Sequence, residues 1–296
     1  MSETLLDKVV LRLMNILLIA LAIICLLPII LAVSASFSSE TAIALNGFSL
    51  WPQDVTLDTY RFILSDKLTM IVKAYGVTVF VTAVGTITSV AVTTAYAYAI
   101  SVRGFKNGDR LAFFSYFTIL FSGGMLPWYI LSTKYYHLND TLAGLFLPYL
   151  MNVFFMYLQR NYFKSIPIEI TESAQIDGAG YFKIFITIML PLSKVSLVTI
   201  CLFYAVQYWN DFFLPLMLVS DKDMYTLQYM MYNMLSNISY LATSTNKSIL
   251  ANANVVPPLE TAKMAMTCLT IGPIILLFPF LQKYFVKGIL IGSVKG

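Results

Sequence analysis

Charged side chains are scarce in this sequence. Asp, Glu, Lys and Arg make up 11% of the 296 residues, hydrophobic residues make up 58%, and the mean hydropathy is +0.76. A soluble globular chain carries about 25% charged residues. The composition therefore predicts a membrane protein surrounded by a lipid bilayer. The net charge of +4 is modest, and no nucleic-acid partner is expected.

Side chains that bind metals or carry out nucleophilic chemistry are also few. The single histidine, His137, supports neither a metal cluster nor a histidine-based triad. Cys25, Cys201 and Cys268 lie within apolar runs, where we expect them to act as small hydrophobic residues. The sequence contains no G-x-x-x-x-G-K-[ST] phosphate loop, so ATP is not expected to bind by that route. We expect neither a metal nor a cofactor in this chain, and no enzymatic activity of its own.

Long apolar runs are what the sequence has in place of charge. Each run lacks Asp, Glu, Lys and Arg and is close to or above the roughly 20 residues that a helix needs to cross a membrane. Asp211 interrupts the fifth run, but the apolar character continues to Ser220. The predicted fold is an all-α integral membrane protein with six transmembrane helices, in the runs 13–39, 74–102, 111–133, 141–159, 195–210 and 264–282.

The first run has a second interpretation as a cleavable signal peptide. Lys8 and Arg12 precede it, and the residues Val33, Ser34 and Ala35 resemble a cleavage site. The apolar part of a signal peptide is only about 7 to 15 residues long. Because this run is far longer, we expect an uncleaved transmembrane helix.

The distribution of Lys and Arg predicts the orientation, since these residues concentrate in cytoplasmic loops. With an inner N-terminus, the inner side receives Lys8, Arg12, Arg103, Lys106, Arg110, Arg160, Lys164, Lys183, Lys194, Lys283, Lys287 and Lys295. The outer side keeps Arg61, Lys67, Lys73, Lys134, Lys222, Lys247 and Lys263. Both termini are therefore expected in the cytoplasm.

A polar interruption separates the fourth and fifth runs, at 160–194. Pro167 is a residue type that can open a short helix, and Glu169 and Glu172 are then well placed near the positive N-terminal end of that helix. Gly178 can adopt the left-handed turn that ends a helix, and Pro191 marks the next break. An amphipathic second helix is predicted between them, held against the inner membrane face, and its apolar face is formed by Phe182, Phe185, Ile186, Met189 and Leu190.

The same segment resembles the EAA signature of type I ATP-binding-cassette import permeases. It reads Glu-Ser-Ala from Glu172, then Gly178 after three residues, Ile188 after nine more, and Leu-Pro from Leu190. Ser173 stands where alanine is usual, and its small side chain fits the same space. The resemblance implies a coupling helix that docks into a separate ATPase, whereas an inert connector would have no reason to carry this pattern. The residues implied in coupling are Glu172, Ser173, Ala174, Asp177, Gly178, Leu190 and Pro191.

Other segments resemble the carbohydrate branch of these permeases, in particular the aldouronate and alginate importers. They are FSGGMLPWYIL from 121, RNYFKSIP from 160, FYAVQYWNDFF from 203 and FPFLQKYFVKGILIGSVKG from 278. The resemblance implies a first helix and outer loop at 1–70, a permease core at 71–287 and a cytoplasmic tail at 288–296. It also implies a bacterial cytoplasmic membrane and three kinds of partner: a second permease, an ATPase pair that holds ATP and Mg, and an extracytoplasmic sugar-binding protein.

A polar and aromatic stripe on the predicted fifth helix is the candidate substrate pathway. Tyr204, Gln207, Tyr208 and Asp211 recur at helical spacing, and Trp209 and Asn210 flank them. Sugars need fixed hydrogen-bond partners for their hydroxyl groups and aromatic rings for their C–H faces. An interfacial aromatic belt or a surface for a partner subunit would produce the same stripe, so both alternatives stay open.

Smaller features concern helix packing. Gly85, Ser89 and Thr93 recur every four residues on the second predicted helix and favour close approach of another helix. Gly123 and Gly124 are expected to break the third helix. Asn152 is a candidate for a polar contact between helices.

A transporter driven by an ion gradient is the alternative function. Such a protein is expected to have paired carboxylates within the membrane or broken helices in repeated halves. The sequence offers Asp211 alone and no clear repeat. A membrane enzyme lacks a nucleophile and base here, and a scaffold would leave the EAA-like segment unexplained.

Overall fold

Helices account for every regular element in the part of the chain that the structure describes. The structure is a computed structural model that describes residues 5–243 and 260–271. The α-helices are α1 (Leu5–Ser36), α2 (Glu40–Asn46), α3 (Asp58–Ala99), α4 (Gly108–Leu120), α5 (Met125–Ile130), α6 (Val153–Ser165), α7 (Ile168–Ile176), α8 (Tyr181–Ile184), α9 (Leu190–Leu192), α10 (Lys194–Trp209), α11 (Phe213–Leu218) and α12 (Leu227–Thr243). Residues 260–271 form a further helix, α13. The predicted all-α class is confirmed.

Short π and 3-10 segments connect several of these helices. The π segments are Leu131–Tyr135 and Phe185–Met189, and the 3-10 segments are Ala143–Leu145, Leu147–Tyr149 and Lys222–Met224. The chain divides into two compact units, one of residues 1–68 with 231–273 and one of residues 69–230 with 274–296.

The first unit contains α1, a helix whose apolar surface is open. An 18-residue window within its stretch Lys8–Ser36 has a mean hydropathy of 3.3 and contains no buried residue, whereas Ser34, Ala35 and Ser36 at the end of the helix are buried. In the same unit, the Glu40 carboxylate accepts hydrogen bonds from the backbone N–H groups of Glu260 and Thr261, both at 2.9 Å. Glu40 thereby caps the start of α13, because the first N–H groups of a helix have no partner within it.

Two described helices are long and apolar enough to cross a membrane, Lys8–Ser36 and Leu68–Ala99. Two bent pairs raise the number to four if each pair is one span: Gly108–Leu120 with Met125–Tyr135, at 113°, and Tyr181–Leu192 with Lys194–Trp209, at 81°. The six spans and the orientation of the termini therefore stay predictions. The sixth run, 264–282, lies mostly outside the described residues, as does the whole tail 288–296.

The structure confirms the predicted break in the third run and contradicts the continuous helix predicted in the fourth. The expected break of the third helix is confirmed between α4 and α5, where Gly124 has a φ of 86°. A continuous fourth helix over 141–159 is wrong. Two 3-10 turns, Ala143–Leu145 and Leu147–Tyr149, precede α6, which begins only at Val153. Asn152 caps that start by accepting from the backbone N–H of Phe154 at 2.9 Å.

A buried apolar cluster organises one end of the second unit. It joins the end of α3, the helices α4 and α6, and the segment α8 with its π extension. We call it the inner cluster; its fully buried members are Ala97, Ile100, Ala112, Met156, Phe163, Ile184 and Met189. Since apolar burial is the main favourable term in packing, these contacts hold four separate segments of sequence together.

Arg160 connects the inner cluster to the loop that follows α3. The arginine is only 8% exposed, and its Nε donates to the backbone oxygen of Ile100 at 3.3 Å. One terminal nitrogen forms an ion pair with Asp109, whose carboxylate also lies 3.8 Å from Lys164. Arg160 therefore links α6, at the end of the cluster, to Asp109 of α4 through a charge-assisted hydrogen bond.

Replacing Arg160 with methionine is expected to destabilise the second unit. The change removes hydrogen bonds from a charged donor, a loss of about 1.5–3 kcal/mol in the free energy of unfolding. Lys164→Met is the control, because that side chain is 46% exposed and shares the same carboxylate; its expected effect is under about 1 kcal/mol. Thermal unfolding in detergent measures both, and equal losses in the two variants would contradict this role of Arg160.

Candidate functional site

The first helix of the polar interruption and the glycine turn after it fold as the sequence predicts. Pro167 precedes α7, a helix of 9 residues with Glu169 in its first turn. After α7, Gly178 has a φ of 78°, the left-handed region that favours glycine. The Gly178 N–H donates to the oxygen of Gln175 at 3.0 Å, and the Ala179 N–H donates to the oxygen of Ala174 at 2.9 Å. These bonds end the helix in a fixed turn.

Helix α7 has one exposed side and one anchored side. Glu172, Ser173 and Asp177 are exposed, and the Ile176 side chain is 87% exposed. Ala174, half-buried, packs against the inner cluster, as do Ala179 and Ile166 on either side of the helix. The loop is therefore a rigid projection of the cluster, and it carries an apolar side chain and carboxylates on its surface.

The second helix of the interruption packs on the inner cluster with part of its predicted apolar face. Met189 is buried in the cluster and Phe185 packs against it, as does the neighbouring Ile184, which is buried. Phe182 and Ile186, from the same predicted face, are 78% and 45% exposed. A π segment over Phe185–Met189 changes the helical spacing of the side chains within it. That the exposed part of the face lies against the membrane stays a prediction.

Leu190 and Pro191 stand at the junction with α10. Leu190 is half-buried and Pro191 is exposed, and both belong to the three-residue helix α9. The chain bends by 81° after α9, at Ser193. The break that the sequence places at Pro191 thus falls two residues later.

Two tyrosines of the candidate pathway lie inside the second unit. The Tyr204 hydroxyl is 2.6 Å from the Thr93 hydroxyl and accepts from the backbone N–H of Asn152 at 2.8 Å. The Tyr208 hydroxyl is 2.7 Å from the Ser89 hydroxyl and donates to the Phe146 oxygen at 3.0 Å. Both side chains are buried, at 0% and 1% exposure. In this conformation they attach α10 to α3 and to the turns before α6.

The close approach of α3 and α10 depends on a residue without a side chain. A Cβ atom added at Gly85 would lie 2.9 Å from the Tyr208 ring. The small-residue spacing of Gly85, Ser89 and Thr93 therefore serves helix packing, as predicted, and it also supplies the hydroxyl partners for both tyrosines.

The other residues of the stripe cluster where α10 ends. Gln207 is half-buried, Trp209 is buried, and Asn210 is exposed. The Asp211 carboxylate accepts from the backbone N–H groups of Phe213 at 3.2 Å and of Leu214 at 3.3 Å, which caps the start of α11. The Asp211 carboxylate is therefore held in place by the two backbone N–H groups that follow the break.

The Asn210 side chain has two hydrogen bonds: its amide nitrogen donates to the Val206 oxygen of α10 at 2.9 Å, and its oxygen contacts α12. The Gln228 amide nitrogen donates to the Asn210 side-chain oxygen at 3.3 Å. The side chain of Asn210 is thus positioned between the end of α10 and the start of α12, and part of it stays open to the surroundings. Gln207, Asn210 and Asp211 are the members of the stripe that retain polar surface.

Asp140 is a structural residue that the sequence did not single out. Its carboxylate accepts from the backbone N–H groups of Asp221 at 2.9 Å and Ser220 at 2.6 Å. These two bonds, that of Asp221 first, hold the pKa of the Asp140 carboxyl below its usual value. The stability that these two bonds contribute is fully present above the usual pKa of an aspartate. It is lost as the pH falls through the lowered pKa of Asp140. No local signal identifies it, because the partners are 80 and 81 residues away.

Comparison with known proteins assigns the family. The chain is 39% identical over 273 residues to protein LplC of Bacillus subtilis, covering 92% of this chain and 90% of LplC. It is 37% identical over 279 residues to the polygalacturonan/rhamnogalacturonan transport system permease protein YtcP of the same species, covering 94% of this chain and 96% of YtcP. The chain belongs to the sugar ABC transport system permeases. No family model matches it.

A solved structure extends the similarity of this sugar permease to the fold. The structure is described as a bacterial ABC transporter involved in the import of the acidic polysaccharide alginate. One of its chains superimposes with a TM-score of 0.81 at 29% sequence identity, over 96% of this permease and 99% of that chain. The resemblance to carbohydrate ABC permeases, identified from the EAA-like segment and the segments beside it, is confirmed.

Alanine substitutions at two glycines of α3 are expected to have opposite effects on the permease. Gly85→Ala forces a methyl group against the Tyr208 ring, and overpacking of this kind typically costs about 1–3 kcal/mol. Gly76→Ala is the control, since no atom lies within 4 Å of its added Cβ. Gly76→Ala is expected to stabilise the helix by up to about 1 kcal/mol. Thermal unfolding separates them, and a stable Gly85→Ala variant would contradict the described packing.

Proposed function

We propose that the permease is the membrane subunit of an ATP-driven importer of oligosaccharides, and that α7 couples it to a separate ATPase. The observation that carries this proposal is the two-sided character of α7. A helix that exposes Glu172 and Ile176 while Ala174 packs on the inner cluster can receive a force on one side and transmit it on the other.

The contacts of the inner cluster supply a route for that force. Met156 and Phe163 of α6 pack in the cluster, and Gln159 lies between them on the same helix. The Ser196 hydroxyl of α10 donates to the Gln159 side-chain oxygen at 2.6 Å, in buried surroundings. A displacement of α7 would therefore reach α10 through α6, and α10 carries the candidate sugar contacts. Packed interiors resist gradual deformation, which favours two discrete arrangements.

The proposed partners follow from the two roles, coupling at α7 and sugar contact at the end of α10. An ATPase dimer would hold ATP and Mg and would dock on the exposed side of α7. A second, homologous permease would complete the pathway, and an extracytoplasmic binding protein would deliver the sugar. We place the assembly in the bacterial cytoplasmic membrane, where alternation between outward-open and inward-open states would carry the sugar inward.

The candidate sugar contacts are Gln207, Asn210 and Asp211. Their amide and carboxylate groups can hydrogen-bond sugar hydroxyls, and the neighbouring Phe212, which is 43% exposed, offers a ring for stacking. Tyr204 and Tyr208 support these residues from inside. The name of YtcP refers to transport of polygalacturonan and rhamnogalacturonan, and the solved transporter is described as importing the acidic polysaccharide alginate; both support a substrate of more than one sugar unit here.

Changing Gly178 is expected to uncouple ATP hydrolysis from uptake. Gly178→Ala strains the turn after α7, because an L side chain in the left-handed region costs about 1–2 kcal/mol. Sugar uptake per ATP hydrolysed by the reconstituted complex should then fall severalfold, because α7 is no longer held in its position on the cluster.

Gly47→Ala is the matched control for this experiment. Gly47 has a φ of 76°, close to the 78° of Gly178, and neither glycine has an atom within 4 Å of an added Cβ. The two substitutions therefore introduce similar strain at different places. Equal uptake per ATP in the two variants would contradict the coupling role of the turn, and uptake that needs no ATP would indicate a gradient-driven transporter.

Substitution of the open polar residues is expected to weaken sugar recognition. Gln207→Ala and Asn210→Ala each remove hydrogen-bonding groups, and a net hydrogen bond is worth about 0.5–1.5 kcal/mol, so the KM for uptake should rise about two- to tenfold. Tyr204→Phe is the control, since it deprives the buried Asn152 N–H of its acceptor and should lower thermal stability without raising KM. A KM that responds to Tyr204→Phe but not to Asn210→Ala would reverse the assignment.

A further inference from the structure

Two cavities lie side by side where the apolar run of α3 ends. One has a volume of about 470 Å³ and almost wholly apolar walls, and we call it the apolar cavity; its lining includes Ala95, Ala99, Val102, Phe105, Phe182 and Phe185. The other has a volume of about 360 Å³ and walls that are about half polar and half apolar, and we call it the basic cavity; its polar lining includes Ser101, Arg103, Lys164, Thr171, Glu172 and Gln175. Ligand sites commonly have volumes of about 300–1,000 Å³.

The two cavities share a wall. Tyr98 and Tyr181 line both of them, and the Tyr98 hydroxyl donates to the Tyr181 oxygen at 3.1 Å. The Tyr98 ring stacks on Phe185 with centroids 4.8 Å apart. A fixed aromatic partition thus separates an apolar space from a charged one. Tyrosine is typical of the boundary between lipid and water, where the ring meets acyl chains and the hydroxyl meets polar groups.

The position of the cavities agrees with that boundary. The candidate span Leu68–Ala99 ends at the apolar cavity, and the loop that follows it carries Arg103 into the basic cavity. Phe182 forms part of the apolar wall although 78% of its side chain is exposed. The exposed Phe182 ring and the apolar cavity beside it form one apolar surface, and such surfaces mark sites where an apolar partner binds.

The charges favour an anion in the basic cavity. Two cations, Arg103 and Lys164, line it against one carboxylate, Glu172. Arg103 is exposed, and its side chain forms no ion pair with any residue in 5–243 or 260–271. Lys164 lies 3.8 Å from Asp109, a carboxylate that it shares with Arg160. Both cations are therefore available to a further anion.

We propose that these cavities bind one anionic phospholipid, with an acyl chain in the apolar cavity and the phosphate headgroup at Arg103 and Lys164. An anionic lipid is the occupant that presents both chemistries at the end of a membrane span, since basic pockets at this depth attract anionic headgroups. The lipid would lie beside Gln175 and Glu172 of α7, which line the basic cavity. The proposal is independent of ATPase coupling, because it rests on the cavities alone.

Lipid titration of the purified complex tests the proposal. The tagged permease is extracted in mild detergent with its co-purifying subunits, and bound lipids are counted by native mass spectrometry. The probes are dioleoyl phosphatidylglycerol, dioleoyl phosphatidylcholine and glycerol phosphate. We expect a site that prefers phosphatidylglycerol to phosphatidylcholine and that glycerol phosphate alone does not fill. Arg103→Gln and Lys164→Gln should each weaken it about fivefold, because one basic residue near an anionic surface contributes about that factor.

Matched variants separate the site from general lipid adsorption. Lys106→Gln, in the loop after α3, and Arg110→Gln, in the first turn of α4, remove the same charge nearby at residues that line neither cavity, and both should keep full binding. Ala95→Phe fills the apolar cavity and should abolish binding, whereas Ala91→Phe, one helical turn earlier and also exposed, should not. Arg103 is exposed and has no recorded ion pair in the described chain, so Arg103→Gln tests the headgroup site even if Ala95→Phe fails to fold.

Several results would overturn the lipid site. Equal binding of the two lipids would reduce the cavities to an unselective groove, and competition by glycerol phosphate alone would indicate a site for a free anion. Lining variants that bind like their controls would place the lipid elsewhere. A wild-type complex that binds no phosphatidylglycerol here, together with cross-linking of a neighbouring subunit to a photoreactive residue introduced at position 95, would show that a protein fills the cavities.

Discussion

Apolar packing in the inner cluster is the constraint on which the rest of this unit depends. Ile184 and Met189 follow the α7 loop in the sequence, and Met156 and Phe163 precede it, so burying all four fixes both ends of the loop. The loop cannot then move freely relative to α3 and α6. What would be a solvated connector in isolation becomes a helix with a defined direction and an exposed surface. Its nine residues are too few to be stable alone, so tertiary contacts must hold it.

At the opposite end of α10, hydrogen bonds act together with apolar packing, since Tyr204 and Tyr208 belong to a buried cluster with Val81, Leu145 and Val219. Tyr204 and Tyr208 attach α10 to α3 through hydroxyl pairs, and Gly85 provides the room for one of the rings. Within a membrane, water does not compete for these groups, so satisfied pairs define the helix register while unsatisfied ones would be costly. The break after Trp209 then exposes Asn210 and fixes Asp211 as the cap of α11.

Local chemistry explains which parts of this architecture the sequence could predict. Pro167 and Gly178 act through their own backbone preferences, so the bounds of α7 could be predicted from the residues. The burial of Tyr204 was not readable, because its partner Thr93 lies 111 residues away. An aromatic and polar stripe looks the same whether it faces a cavity or another helix. The continuous helix predicted for the fourth run was wrong for a related reason. An apolar stretch indicates burial and does not show whether the backbone is helical throughout, and here two 3-10 turns and Asn152 precede the helix.

Cross-linking from α7 tests the central claim most directly. A variant with Cys25, Cys201 and Cys268 replaced by serine and with Ile176→Cys carries one thiol, at a position that is 87% exposed. A short bifunctional thiol reagent added to native membranes should join this chain to an ATPase subunit that has a phosphate loop, and ATP should change the yield. Recovery of the chain alone, or joined only to another membrane subunit, would contradict a coupling role for α7.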